Sequence, residues 1–434
     1  MRIHIITLGC PKNEVDSEMM AVLLLQAGHQ TVAERDRADV ILVNTCGFIE
    51  PARQEAYELL DELTATRRRR QALVVAGCLA QRRCDEICQR FEVDAVIGTR
   101  AWPEIVGVVE QLAHRQRRPI RLVPEAGDLV ASVQRHATRG NTAYIKIADG
   151  CDAACAYCTI PRIKGRQRSK APDDIVREAR ELVAEGVLEA VLIAQDSTAY
   201  GRDLTAATNL AALLRRLNAE ASSLAWQRVL YAYPNHVTPE LIETMTTTPS
   251  VCHYLDIPLQ HGHPDVLRRM RRPHDLQQVH GTIEALRRAM PDMALRSTFI
   301  VGFPGETECE FEGLLEFIEQ VRFDKVGVFQ FSAEEGTPAY DMPQQVPIEL
   351  MQERYDRAMA LQQRISAEIN QKMVGRSLQV LVEGVGDGIS VGRSYRDAPE
   401  IDGLVIIDAE LEPGRMVEVE VIAADEYDLE ARPR

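Results

Sequence analysis

The sequence predicts an α/β protein in three parts. These are an N-terminal doubly wound parallel α/β domain, a central partial (β/α) barrel and a small C-terminal all-β barrel. Three observations predict it. Apolar runs alternate with helical stretches over residues 1–115, a second and longer alternation fills 143–371, and 372–434 breaks into short strands with Gly, Asp and Pro turns. The 434 residues are enough for about two to four domains. With 45% apolar and 26% charged residues, the composition is that of a globular chain rather than a disordered one.

In the first part IHIITL, DVILVNT, ALVVAG and VDAVIG read as strands, and SEMMAVLLLQAG, ARQEAYELLDEL and EICQRF as the helices between them. Strands this continuously apolar are buried on both faces, as in a parallel sheet. Residues 116–142 lose the pattern, carry Pro, Gly and many Arg, and read as a linker. The second part offers six strands, AYIKIA, EAVLIAQ, RVLYAYP, HYLDIPL, LRSTFIVGFP and KVGVFQF, with helices such as DDIVREARELVAEG and EFEGLLEFIEQV between them. Chemistry in such repeats sits at the C-terminal strand ends. The long helix IELMQERYDRAMALQQRISAEINQK leads out. The last part supplies SLQVLVEGV, SVGRSY, EIDGLVIID and MVEVEVIAAD.

Charge and termini exclude some roles. The 65 Asp and Glu outnumber the 50 Lys and Arg, for a net −15, so bulk-charge binding of nucleic acid is disfavoured and a basic partner is favoured. Residues 373–434 hold 14 acidic and 6 basic residues, a net −8. No apolar run approaches the roughly 20 residues of a membrane span. MRIHIITLGC has no long apolar core or small-residue cleavage site, which argues for a cytoplasmic location.

Ten cysteines in a long, leaderless chain point to metal ligation or catalysis rather than to a disulfide framework. Gly150-Cys151-Asp152-Ala153-Ala154-Cys155-Ala156-Tyr157-Cys158 follows the strand AYIKIA. Three thiolates in one tight loop can hold three corners of a cubane iron–sulfur cluster and leave the fourth iron open to a small molecule. A structural zinc site is the alternative, and it would want a fourth fixed ligand. Tyr157 in this loop and residues at later strand ends are candidates to line a cofactor and substrate: Gln195, Asp196, Asp256, Gln260, His261, Arg296, Thr298, Phe331 and Ser332. Each could equally serve barrel packing. Cys10, Cys46 and Cys78 each follow an apolar strand, and parallel strands end on one edge, so three thiols distant in sequence converge into a second metal site. The competing reading is that each is a small buried apolar residue. Cys84 and Cys88 read as helix packing, and Cys252 and Cys309 as structural.

The CxxxCxxC loop resembles the radical S-adenosylmethionine superfamily. That resemblance implies a four-iron, four-sulfur cluster on Cys151, Cys155 and Cys158, with S-adenosylmethionine bound at its open iron and cleaved to a 5′-deoxyadenosyl radical. LGCPKNEVDSE, NTCGFIE, AGCLAQR and GCDAACAYC together resemble the methylthiotransferase family over nearly the full chain. This implies an N-terminal methylthiotransferase domain, a radical S-adenosylmethionine core and a C-terminal TRAM barrel. It also implies a second such cluster on the N-terminal trio that carries the inserted sulfur, an external electron donor, and net conversion of C–H to C–SCH₃.

Gly9–Asn13, GCPKN, is similar to the branch that modifies a ribosomal protein, whereas the tRNA branch usually shows GCQMN. The implied substrate is the β-carbon of an aspartate in the twelfth protein of the small ribosomal subunit. The acidic C-terminal module agrees on physical grounds, since a tRNA-binding module should be basic and an acidic one should attract a Lys/Arg-rich protein. A tRNA methylthiotransferase and a non-catalytic iron–sulfur protein on the ribosome are the alternatives. Lys164 and Arg166, just after the cysteine loop, are candidates to pair a carboxylate of substrate or cofactor, or else are solvated.

Overall fold

A computed structural model describes all residues except 114–117, 126–132, 134 and 136–139. The N-terminal sheet has six strands: β1 (Arg2–Thr7), β2 (Gln30–Thr31), β3 (Val40–Thr45), β4 (Ala72–Gly77), β5 (Ala95–Gly98) and β6 (Ile120–Leu122). They run in the order β2-β1-β3-β4-β5-β6, all parallel. β3 is buried at every position. Its alternate residues serve two cores. Val40 and Leu42 meet Met19 and Leu24 of helix Pro11–Gln26, whereas Ile41 and Val43 meet Leu60 and Leu63 of helix Glu50–Thr66. This is the doubly wound arrangement that the apolar runs predict.

The reading of 116–142 as linker is corrected in part, because Ile120–Leu122 forms the edge strand β6 against β5. Arg135 is also buried, and it pairs with Glu18 and Glu178. The rest of that reading falls partly outside the described residues.

The central sheet holds β7 (Thr142–Lys146), and beside it β8 (Ala148–Asp149) and β9 (Arg168–Ser169) form a short antiparallel ladder. The sheet continues with β10 (Glu189–Ile193), β11 (Trp226–Val229), β12 (Val251–Asp256), β13 (Ala294–Val301) and β14 (Lys325–Gln330). The order β14-β13-β12-β11-β10-β7 is parallel and open, an incomplete barrel. Helices such as Pro172–Ala184, Glu308–Val321 and Ile348–Gln371 cover its outer face. Its inner residues Tyr144, Val191, Trp226 and Tyr254 share one core with Val15 and Met19 of the N-terminal domain and with Leu381 and Ala398 of the C-terminal part.

β15 (Ser377–Gly386), β16 (Ile389–Ser394), β17 (Val405–Ile407), β18 (Met416–Ala424) and β19 (Leu429–Pro433) close into a five-stranded barrel. The sequence reading missed β19. It carries Glu430, Arg432 and Pro433, which disguise its inward residues Leu429 and Ala431.

Ions lock this barrel to the N-terminal ends of the central strands. Glu189 is fully buried between Arg228 (2.7 Å) and Arg393 of the barrel (2.6 Å). Arg228 also donates to the carbonyl of Tyr395 at 2.6 Å, and Lys325 pairs with Asp397 at 3.1 Å. The Glu189→Gln variant leaves two buried guanidinium groups sharing a neutral partner. We expect it to cost about 3–5 kcal/mol. Urea unfolding followed by the fluorescence of Trp226, buried beside this network, should then show a lowered midpoint; an unchanged midpoint counts against the network's role.

Candidate active site

The first trio of cysteines lies on the C-terminal edge of the N-terminal sheet. Strand register pairs Thr7 with Asn44 and Thr45 with Gly77, so the chain leaves β1, β3 and β4 side by side. Cys46 follows β3 directly. Cys10 caps helix Pro11–Gln26, and Cys78 opens helix Cys78–Arg90. Two of the three thiols thus stand at helix N-termini, where exposed N–H groups and the helix dipole favour negative charge. Gly9 shows how closely the loops approach: a Cβ there would lie 2.6 Å from the Cys46 Cβ and 3.1 Å from its Sγ. Its φ of +92° independently favours glycine. Asn13 ties the three loops together. Its amide donates to the carbonyls of Leu8 (3.0 Å) and Thr45 (3.1 Å), and its Oδ1 lies 3.8 Å from the Cys78 Sγ. Burial pushes the Cys78 thiol up to about 12, opposed by the nearby Lys164 ammonium.

The second trio lies in the loop after β8. Gly150 turns the chain at φ +77°, and a Cβ there would collide with the carbonyl of Arg166. The Cys151 N–H donates to the carbonyl of Gly165 at 3.1 Å. The middle of the loop is pinned from both sides: Ala156 N–H donates to Met270, and Ala339 N–H donates to Ala156, each at 2.9 Å. Electropositive groups face the sulfurs. The Ala153 N–H lies 3.4 Å from the Cys151 Sγ, and the buried Arg272 guanidinium lies 3.9 Å from the Cys155 Sγ while stacking 4.2 Å over Tyr233. Burial pushes the Cys158 thiol up to about 12. Thiols placed under N–H and guanidinium donors, with no disulfide between them, suit an anionic metal–sulfur cluster.

The two edges meet across buried charge. Lys164, 3% exposed, lies 3.3 Å from Asp149 and 3.5 Å from Asp16 of helix Pro11–Gln26. Lys146 pairs with Asp16 and lies 3.6 Å from Asp149. Against the desolvation of burial, Asp149 and Asp16 hold the Lys164 ammonium well above its ordinary pKa, and Cys78 and Cys10 add smaller contributions. On the other flank Glu334 takes Arg53 and Arg82 of the N-terminal domain, and Arg82 also donates to the carbonyl of Gly47 at 3.1 Å.

The remaining candidates separate. Gln195 follows β10, and both its amide atoms are buried without a partner, as expected of a group awaiting a ligand. Gln260, four residues beyond β12, holds φ +78° and is bridged to β13 by bonds with Thr298 and Ile300 at 2.8 Å, a strained position of the kind found at binding sites. Tyr157 lies half-buried beside Cys155 and Arg272. Arg296 reaches Thr298 (3.2 Å) and Asp256 (2.9 Å), but also Asp402 of the C-terminal barrel (3.5 Å), which places it between the central sheet and that barrel.

Others are engaged within the protein. Asp196 accepts from Thr198 and Ala199 at Oδ1 and pairs with His236 at Oδ2, at 2.8 Å. Phe331 packs edge-on against Phe303 under the cysteine loop, and Ser332 bonds Glu334. His261 is fully buried beside Glu306. Lys164 is spent on the domain clamp, and Arg166 is 89% exposed and pairs with Asp152, the solvated alternative of the sequence reading. Cys84 and Cys88 pack against the core under β4, Cys252 is buried, and Cys309 is exposed rather than structural. Arg272 was missed because a single arginine carries no spacing signal.

Family comparison covers most of the chain. Residues 2–98 match Uncharacterized protein family UPF0004, 145–318 the Radical SAM superfamily, and 374–433 the TRAM domain. The chain is 48% identical to the ribosomal protein uS12 methylthiotransferase RimO of Roseiflexus sp. (strain RS-1), over 99% of this chain and 96% of that protein. It is 47% identical to the protein of that name from Chloroflexus aurantiacus, over 99% of each. Among solved structures, the radical S-adenosylmethionine methyltransferase TsrM from Kitasatospora setae, with cobalamin and a [4Fe-4S] cluster bound, superposes with TM-score 0.58 at 13% identity, covering 90% of this chain and 80% of that one. At that identity the likeness concerns the fold.

The Gly150→Ala variant should lose most of the iron bound by the Cys151 loop on anaerobic reconstitution. Gly281→Ala, in open space on helix Leu276–Ala289, should keep it and gain about 0.5–1 kcal/mol. Iron and sulfide analysis checks both; full iron in Gly150→Ala would show that the turn is dispensable.

Proposed function

Because the chain belongs to the family of ribosomal protein uS12 methylthiotransferases, we propose that it replaces a β-hydrogen of one uS12 aspartate with a methylthio group. It is a radical S-adenosylmethionine enzyme, and its cofactors are S-adenosylmethionine and two four-iron, four-sulfur clusters. The observation that supports the finer reading is the meeting of two cysteine trios across one interface of buried charge. In this reading Cys151, Cys155 and Cys158 hold one cluster, and Cys10, Cys46 and Cys78 hold the second, which serves as the sulfur source. Bound there, these groups supply hydrogen abstraction, the sulfur and its methyl group.

The chain's own residues prepare that chemistry. Arg272 and the Ala153 N–H offset negative charge on the Cys151 loop. The Gln195 amide receives a polar group of S-adenosylmethionine. Phe303, Phe331 and Met270 close the underside of the loop against water. On the C-terminal barrel two arginines and two aspartates turn inward, Arg393, Arg396, Asp397 and Asp402, so the net −8 stays on the outer surface. That surface is the docking face for a basic ribosomal protein, and it repels nucleic acid. The work takes place in the cytoplasm with an external electron donor.

The reconstituted enzyme should add mass to uS12 and not to tRNA; a gain on tRNA alone would overturn the proposal. Cys155→Ala should abolish 5′-deoxyadenosine formation. Cys46→Ala should spare it and stop sulfur insertion, and an identical defect in both variants would refute the division of labour. Deleting 373–434 would uncover Trp226 and Tyr254, so charge replacement is the cleaner test of docking. The combined variant Asp387→Asn, Asp408→Asn, Glu430→Gln should weaken uS12 binding about threefold to tenfold at low salt. Undiminished binding would place recognition elsewhere.

A further inference from the structure

Five lysines are buried among the described residues, and four have a carboxylate within 4 Å. Lys146 has Asp16, Lys164 has Asp16 and Asp149, Lys170 has Glu178, and Lys325 has Asp397. The fifth, Lys12, is 8% exposed and has no carboxylate that close among the described residues. An ammonium buried without a close carboxylate is costly, and the N–H donors it keeps leave room for an anion to arrive.

The seat of Lys12 is specific. It lies in the first turn of helix Pro11–Gln26, two residues after Cys10, yet its Nζ crosses to the central sheet. There it donates to the carbonyl of Ala194 at 3.1 Å and sits 3.7 Å over the ring of Tyr231. Ala194 follows β10 and Tyr231 lies two residues beyond β11, so both belong to the C-terminal edge that carries the reaction. Tyr231 holds φ +63°, a conformation rare for an aromatic residue. It is kept there by Ser197 N–H donating to its carbonyl at 3.0 Å and by its own N–H reaching Asp256 at 3.3 Å. A buried ammonium with N–H donors to spare thus stands two residues from Cys10, at the edge where the central strands end.

We propose that Lys12 is the specificity-determining residue for the substrate side chain, receiving its carboxylate and so holding the adjacent β-CH₂ between the two cysteine trios. This rests on the reading of the substrate residue as an aspartate. The carboxylate accepts from the N–H positions of Lys12 not given to Ala194, a charge-assisted bond strengthened by burial. An asparagine at that position offers no charge and is rejected.

The test uses the anaerobically reconstituted full-length protein and two probes, uS12 and uS12 with its target aspartate changed to asparagine. Binding is read by fluorescence anisotropy, beside KM and kcat for uS12 and the iron and sulfide content. The wild type should prefer the aspartate form by about tenfold or more. Lys12→Met should bind both forms equally and raise KM by a similar factor, with metal content unchanged. Lys12→Arg, which keeps the charge, should restore part of the preference. Full preference in Lys12→Met, or none in the wild type, would overturn the inference. Loss of iron in Lys12→Met would show that Lys12 serves the cluster and not the substrate, and would overturn it as well. If the wild type leaves uS12 unmodified, the functional reading itself has failed, an outcome distinct from a wild type that modifies uS12 while Lys12→Met still discriminates.

Discussion

Four buried side chains, Asp16, Lys146, Asp149 and Lys164, set the separation of the two thiol-bearing edges. Buried ion pairs of this kind contribute little net stability, because desolvation offsets most of their attraction. Their effect is geometric. If the N-terminal domain slid or rotated on the central sheet, at least one of these charges would be left alone in a poorly polarisable interior, at a cost of several kcal/mol. The relative position of the two sheets is therefore sharply specified. Asp16 lies one helical turn beyond Asn13, the residue that gathers the Cys10, Cys46 and Cys78 loops. Orientation of the domain and assembly of the first trio thus depend on one short helix segment.

The C-terminal barrel solves a different problem. An open parallel sheet exposes an apolar concave face, and here Trp226, Tyr254 and Val191 would be in water without cover. The barrel supplies Leu381 and Ala398 to that core, and its arginines reach the N-terminal ends of the strands, opposite the cysteine edge. Arg296 connects the two regions, since it touches Thr298 toward the reactive edge and Asp402 of the barrel below. A module with a strongly acidic outer surface is thereby joined, through Arg296 and the Tyr254 hydroxyl, to strands of the central sheet.

Much of this architecture was legible in the chain. Every strand of the central sheet could be read from its apolar run, because a parallel strand buried on both faces is apolar over most of its length. Convergence of Cys10, Cys46 and Cys78 followed from topology alone: parallel neighbours end together. The failures have a common cause. β6 and β19 are short edge or closing strands, whose outward residues are charged and hide the period of two. Asp196, Lys164 and Arg166 looked like site residues from their position in the sequence. Their roles were decided by partners such as His236, Asp16 and Asp152, and Asp16 comes from another domain.

What the amino-acid order determined by itself is the set of elements and the edge on which each cysteine falls, since periodicity and strand direction are local properties. The tertiary structure alone decided which polar side chains are free to act. Lys12, Lys146 and Lys164 are chemically identical lysines. Two are neutralised by carboxylates and one is not, and only the packing of three domains determines which. The physical reason is that the energy of a buried charge depends on what lies within a few ångströms of it, and those neighbours come from segments that the chain brings together only on folding.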